Sequence, residues 1–269
     1  MRTPPGVQAG SFPRPTGALR WVLIVLFSLW LAFALTINWM GATVQGFAAE
    51  LYRLLVLDLG RLAQGEIWRL VTAPLVHVPS GPGSVGHILT TLLLLYFFGA
   101  QLQSSWGNRR FLWVLGAAAL AGELLQIGAT FVLPDALARN VAQPTIVGAY
   151  AAALACPVAW GATYRNATMY LFFAVAVRGW TIVIITVALA LLNLVAADHP
   201  PPEGMLAPFG GMLVGYLLGG STPSPLRKAF LRWKLRKLEG PGRPKGGGRL
   251  RVVPGGREGE PKRDGRWLN

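Results

Sequence analysis

The sequence predicts an all-α fold, a polytopic membrane protein with six transmembrane helices in one bundle. Three observations predict it. Of the 269 residues, 53% are hydrophobic and only 13% charged, whereas soluble domains carry about 25% charged residues. Apolar runs that reach or approach the roughly 20 residues needed to cross a ~30 Å hydrocarbon core recur six times along the chain. Basic residues then segregate to one side of the topology that those six runs define.

The elements follow in order. Residues 1–19 are rich in Pro and Gly and read as a disordered cytoplasmic N-terminus. The first span is about Trp21–Met40. Its apolar run exceeds a signal-peptide h-region and no A-x-A site with a polar mature domain follows, so it is retained. Residues 41–86 form a long non-spanning first loop in which Ala48–Leu62 is amphipathic and Pro79–Gly86 carries turn residues, which suggests a structured cap. Spans two and three, His87–Gln103 and Phe111–Leu133, are joined by the tight basic loop Asn108–Arg110. Pro134–Pro144 connects to span four, Thr145–Gly161, and Ala162–Tyr170 to span five, Gly179–Ala197. Asp198–Gly204, with three consecutive prolines, is an extended turn before span six, Met205–Gly220. Spans four and six are short, as helices that begin inside the membrane are. The membrane domain thus covers 20–221. The remainder, 222–269, is a basic cytoplasmic tail in which Pro225–Leu238 interleaves apolar and basic residues and Gly240–Asn269 reads as disorder.

The net charge of +14 does not point to nucleic acid, because the charges follow the topology. An even number of spans places both termini on one side. That side holds Arg2, Arg14, Arg20, Arg109, Arg110, Arg165, Arg178 and fourteen Lys/Arg after Gly220, against Arg53, Arg61, Arg69 and Arg139 on the other. Cytoplasmic loops are enriched in Lys and Arg, so both termini are expected inside, in the plasma (inner) membrane if the source is bacterial, with the lipid bilayer as the obligate partner. Trp21, Trp39, Trp106 and Trp180 near span ends fit an aromatic belt. The single Cys156 excludes an internal disulfide.

Four stretches carry a family resemblance. Gly65-Glu-Ile-Trp-Arg-Leu-Val-Thr-Ala-Pro-Leu-Val-His77 is similar to the first-loop signature of rhomboid intramembrane proteases, in which a Trp-Arg pair (Trp68, Arg69) precedes a short helix and a His (His77). His87-Ile-Leu-Thr-Thr-Leu92 opens span two. Gly99 to Gly107 ends that span between glycines and leads into Asn-Arg-Arg-Phe-Leu, and Pro208-Phe-Gly-Gly-Met-Leu-Val-Gly215 lies in span six. The resemblance covers Gly65 to Gly220 in the family's order and implies a rhomboid-like bundle. Gly211 and Gly215 strip side-chain bulk from one helix face, which allows close backbone packing in lipid. The resemblance implies that this face meets span four, where Gly148 offers a surface.

A rhomboid protease needs a Ser in a Gly-x-Ser-Gly turn, a His from span six to take its proton, and Asn and His side chains that support the oxyanion. The positions that match here read Val147, Pro208 and Thr91, with His87 retained, and no serine occurs between Trp106 and Gly220. Valine has no proton to lose and proline cannot act as a base, so no residue is assigned as catalytic. The resemblance to inactive rhomboids implies a pseudoprotease that binds transmembrane helices of client membrane proteins without cutting them. One alternative is an active endopeptidase using Thr145 or Cys156. A second is a small transporter built on Glu123, an acid in the middle of span three. The family often has Glu where Gln103 stands, tying the first loop to span two, so Arg69 needs another acid such as Glu66. His77, His87 and His199, with Asp198 and Glu203, match no metal-ligand spacing, and no metal or cofactor is expected.

Overall fold

The computed structural model describes residues 15–134, 145–171, 175–196, 200–219 and 225–239. The chain divides into two compact units, Met1–Lys228 and Ala229–Asn269. In the first, helix α1 (Gly17–Trp39) is followed by α2 (Ala42–Leu55), strand β1 (Leu57–Asp58), and the short helices α3 (Leu59–Ala63) and α4 (Arg69–Thr72). Helix α5 (Ser84–Trp106) and α6 (Asn108–Val132) come next. Strand β2 (Thr145–Ile146), α7 (Tyr150–Thr163), the strands β3 (Thr168–Leu171) and β4 (Val175–Arg178), α8 (Gly179–Ala196) and α9 (Ala207–Gly219) complete it. Helix α10 (Pro225–Glu239) leads into the second unit, where Phe230, Trp233 and Leu235 are exposed. The expected connection 134–144 and the expected disorder of 240–269 lie outside or almost outside the described residues.

Helices α1, α5, α6 and α8 are long and apolar enough to cross a membrane, and α9 is a shorter apolar helix. Helix α1 starts at Gly17, so it takes in the last three residues, 17–19, of the segment expected to be disordered. Helix α5 carries a π-helical stretch, Leu95–Gly99, and Gly99 faces Leu19 and Phe111 with no spare room for a side chain. Many outward residues on these helices, among them Trp113, Phe131, Leu192 and Val195, are large and apolar, as a lipid-facing surface requires.

Helix α7 is the centre of the bundle, because every residue from Ala151 to Gly161 is buried. It can be short because other helices, rather than lipid, surround it. Helix α9 packs most extensively on α7 and next on α6. Its glycines make that possible. A Cβ on Gly211 would strike the Ala151 carbonyl of α7, one on Gly215 the Ala155 carbonyl, and one on Gly219 the Ala159 side chain. On another face, Gly210 lies against the Ala121 carbonyl of α6. Close backbone approach of this kind replaces the hydrophobic drive that lipid cannot supply.

The first loop is an ordered unit. Arg69 is 2% exposed, yet its guanidinium donates to the Arg53 carbonyl, to the Val56 carbonyl at 2.6 Å and to Glu66 through Nε at 2.7 Å. A buried cation needs this degree of satisfaction. Glu66 is its acid partner. Gln103 serves elsewhere: its Oε1 accepts the Leu19 N–H at 2.8 Å and its Nε2 donates to the Thr16 carbonyl at 2.7 Å, fixing the start of α1 instead of the first loop. Two antiparallel ladders punctuate the helices. Leu57 pairs with Ile146 and Asp58 with Thr145, joining the first loop to the segment before α7. The connection from α7 to α8 contains a hairpin, β3 with β4, in which Thr168 pairs with Arg178.

Candidate functional site

Four segments converge at the first-loop end of the bundle. The 3₁₀ turn Ala73–Leu75 delivers His77, and the first turn of α5 carries His87. The turn 147–149 opens α7, and the segment Pro200–Leu206 leads into α9. Local sequence explains the placement of each. Gly83 takes φ +86°, and its carbonyl accepts the His87 N–H at 2.8 Å, starting α5 beneath the imidazole. Ser84 Oγ donates to the Val78 carbonyl at 2.6 Å and Trp30 Nε1 donates to the same carbonyl at 3.0 Å, tying the chain after His77 to α1 and α5.

Gly148 takes φ +102°, a region that L-residues rarely occupy. A Cβ there would lie 2.5 Å from His87 Cε1. Gly148 therefore does not form the surface that meets α9; it is the floor under His87, and Ala151 and Ala155 meet the α9 glycines instead. The backbone of this turn is bonded within the protein. The Val147 N–H donates to the Pro202 carbonyl at 3.0 Å, the Gly148 N–H to the Ala73 carbonyl at 3.0 Å, and the Ala149 N–H to His77 Nε2 at 3.4 Å.

The side chains at the positions of interest are placed as follows. Val147 is buried in an apolar cluster with Phe33, Val56 and Val76. Pro208 is buried in the first turn of α9, where a missing N–H costs nothing. Thr91 is buried one turn below His87, and its hydroxyl donates back to the His87 carbonyl at 2.9 Å. Thr145 is exposed in β2, paired with Asp58. Cys156 is in the bundle core, its thiol 3.7 Å from the Ala152 carbonyl. Trp68 is half-exposed on the first loop, its indole donating to the Leu54 carbonyl at 3.4 Å. Glu123 is buried in α6 with Oε2 lacking a hydrogen-bond partner.

The histidines form their own group. The His77 and His87 rings are 5.1 Å apart between centroids, and the Tyr150 ring is 6.1 Å from that of His87. His77 is fully buried, and burial first, then the adjacent His87, pushes its pKa down to about 3. His87 Nε2 lies 3.1 Å from Glu203 Oε2, an ion-pair distance at an angle short of a hydrogen bond. Glu203 and Tyr150 are the members that reading the sequence did not bring to this site. The available signal was an acid in a proline-rich turn on the same side of the bundle as His87. No group of three metal-ligating side chains forms among the described residues.

Chemically, the site offers imidazoles, a carboxylate and a phenol around a turn whose first residue, Val147, is aliphatic. The family model for the Rhomboid domain matches residues 64–222, more than half of the chain. No curated protein matches it.

Proposed function

The chain belongs to the rhomboid family, and from that premise we propose that it is a pseudoprotease, an integral membrane protein that holds transmembrane helices of client proteins without cleaving them. The observation that carries this reading is Val147, which stands in the turn of the nucleophile and is buried among Phe33, Val56 and Val76. Peptide-bond cleavage by a serine-type route needs a hydroxyl or thiol there and a base beside it. Pro208 supplies no base, and Thr91 spends its hydroxyl on its own helix. The two groups that offer substitutes are badly placed. Thr145 is held in a strand ladder, and Cys156 lies in the core beneath the site. Apolar replacements also remove polar atoms that would otherwise be buried without partners.

Support for client binding comes from the packing of α8. It lies along α7 but touches α9 only sparsely, and its outer face, including Leu189 and Leu192, is exposed. A seam of this kind between α8 and α9 suits lateral entry of a helix from the bilayer. Both termini face the cytoplasm in this reading, which puts the histidine site on the opposite side of the membrane. A photo-crosslinking residue at Leu192, introduced into the full-length protein in its native membrane, tests the proposal. The expected products are adducts with intact membrane proteins. Recovery of no membrane-protein adduct, or of clients cut within their spans, overturns it.

A further inference from the structure

Every described side chain of α10, from Ala229 to Lys237, is exposed. Phe230, Leu231, Trp233 and Leu235 among them are large and apolar. Arg232, Lys234, Arg236 and Lys237 are interleaved with these, and none of the four joins an ion pair among the described residues. The Phe230 and Trp233 rings, three residues apart in the helix, lie 5.9 Å apart between centroids, and the Lys237 ammonium stands over the Trp233 ring at 5.4 Å. Contiguous exposed apolar surface of this kind marks an interaction site. We infer that α10 is a docking surface for anionic phospholipid and lies on the headgroups of the leaflet from which α9 emerges.

Connectivity, local chemistry and charge select a lipid surface as the occupant. Five residues, 220–224, join α9 to α10, a tether of at most about 18 Å of extended chain. The bilayer is therefore the one partner always within reach. The pairing of a cation with a Trp ring also recurs at span ends on the side where α9 ends. Arg20 stands over Trp21 at 5.4 Å, Arg110 over Trp106 at 4.9 Å and Arg165 over Trp180 at 4.5 Å. At headgroup level such a pair puts the ring in the acyl boundary and the cation beside phosphate, and Lys237 with Trp233 repeats it. At about 100° per residue, Phe230 and Trp233 fall on one arc of α10, and Leu231 and Leu235 on another, with Lys234 between them and Arg232 and Arg236 opposite. Two arcs bury less apolar area than one continuous stripe, so apolar contact alone holds the helix weakly. Attraction to anionic headgroups has to supply the rest, and the long Lys and Arg stems let the cations reach phosphate while the rings enter the boundary. Nucleic acid offers matching charge but no apolar layer for four large side chains.

This inference goes beyond the pseudoprotease reading and holds whether a client is held, cut or absent. Leu235→Cys, carrying a polarity-sensitive fluorophore, tests it in the full-length protein in lipid nanodiscs, whose two faces are both open to solvent. Cys156 is buried, and the parent protein without the new cysteine measures its background labelling. Quenching by acrylamide, a neutral probe, is expected to fall at least about threefold when about 30% of the phosphatidylcholine is replaced by phosphatidylglycerol. Arg232→Gln, Lys234→Gln, Arg236→Gln and Lys237→Gln together keep helix propensity but remove the attraction, and are expected to abolish that difference. Phe230→Gln with Trp233→Gln keeps all four cations and is expected to lose most of it, which diffuse charge attraction alone does not predict. All six positions are exposed on α10, so the membrane domain keeps its packing in these variants. A smaller fall in the parent, or protection that either variant retains, overturns the proposal. Protection lost on adding duplex DNA at matched phosphate concentration overturns it as well, by assigning the helix to nucleic acid.

Discussion

His77 is enclosed by the His87 ring and the Gly148 turn, and its Nε2 accepts the Ala149 N–H. Accepting that hydrogen bond requires an unprotonated Nε2, and burial pushes the pKa down to about 3 from the ordinary value of 6.5. The unfolded chain therefore binds a proton below about pH 6.5 that the folded protein refuses until about pH 3. Stability is full above the unfolded value and falls as the pH drops through that window, by at most about 1.4 kcal/mol per pH unit for one group. Thermal unfolding in detergent at pH 7, 6, 5 and 4 checks this. A His77→Gln variant, which keeps an acceptor but cannot titrate, is expected to show a shallower decline.

Helix α9 shows how small side chains decide a membrane fold. Gly211→Ala drives a methyl into the Ala151 carbonyl of α7, and forcing helices apart at a packed contact costs about 1–3 kcal/mol or more. Gly116→Ala is the matched control, since nothing lies within 4 Å of its Cβ position. It is expected to be neutral or to stabilise by up to about 1 kcal/mol through helix propensity. Equal losses of thermal stability in the two variants would contradict this packing. The glycine face was legible in the sequence because a four-residue spacing puts Gly211 and Gly215 on one side of a helix. Its partner was not legible, because α7 presents Ala151 and Ala155, residues with no pattern that marks a contact. The β3–β4 hairpin was hidden for a related reason. Met169–Val177 is one apolar run without Gly or Pro, and nothing in it separates strand from buried helix. The positive φ of Gly148 was equally silent, since a glycine at a helix start reads as well for packing as for a turn.

For the molecule as a whole, the spans were the most legible feature, because each helix long enough to cross the membrane is an apolar run in the sequence. The site was only half legible. The positions of Val147, Pro208 and Thr91 followed from the resemblance to rhomboids, but the contact between His87 and Glu203 joins α5 to a turn far along the chain, and no local pattern encodes it. The basic residues of the short loops and tail predict cytoplasmic termini. A reporter that is active only in the cytoplasm, fused after Asn269, is expected to be active, and one inserted at Ser80 in the first loop to be silent. The opposite pair of results would invert the topology. The account stands or falls on chemistry that Val147 and Pro208 cannot perform. The most direct measurement is incubation of the purified full-length protein, in liposomes, with a model transmembrane substrate of rhomboid proteases, followed by mass analysis of the products. The account predicts uncut substrate at all times. A cleavage product that disappears on Thr145→Val or Cys156→Ala would contradict it.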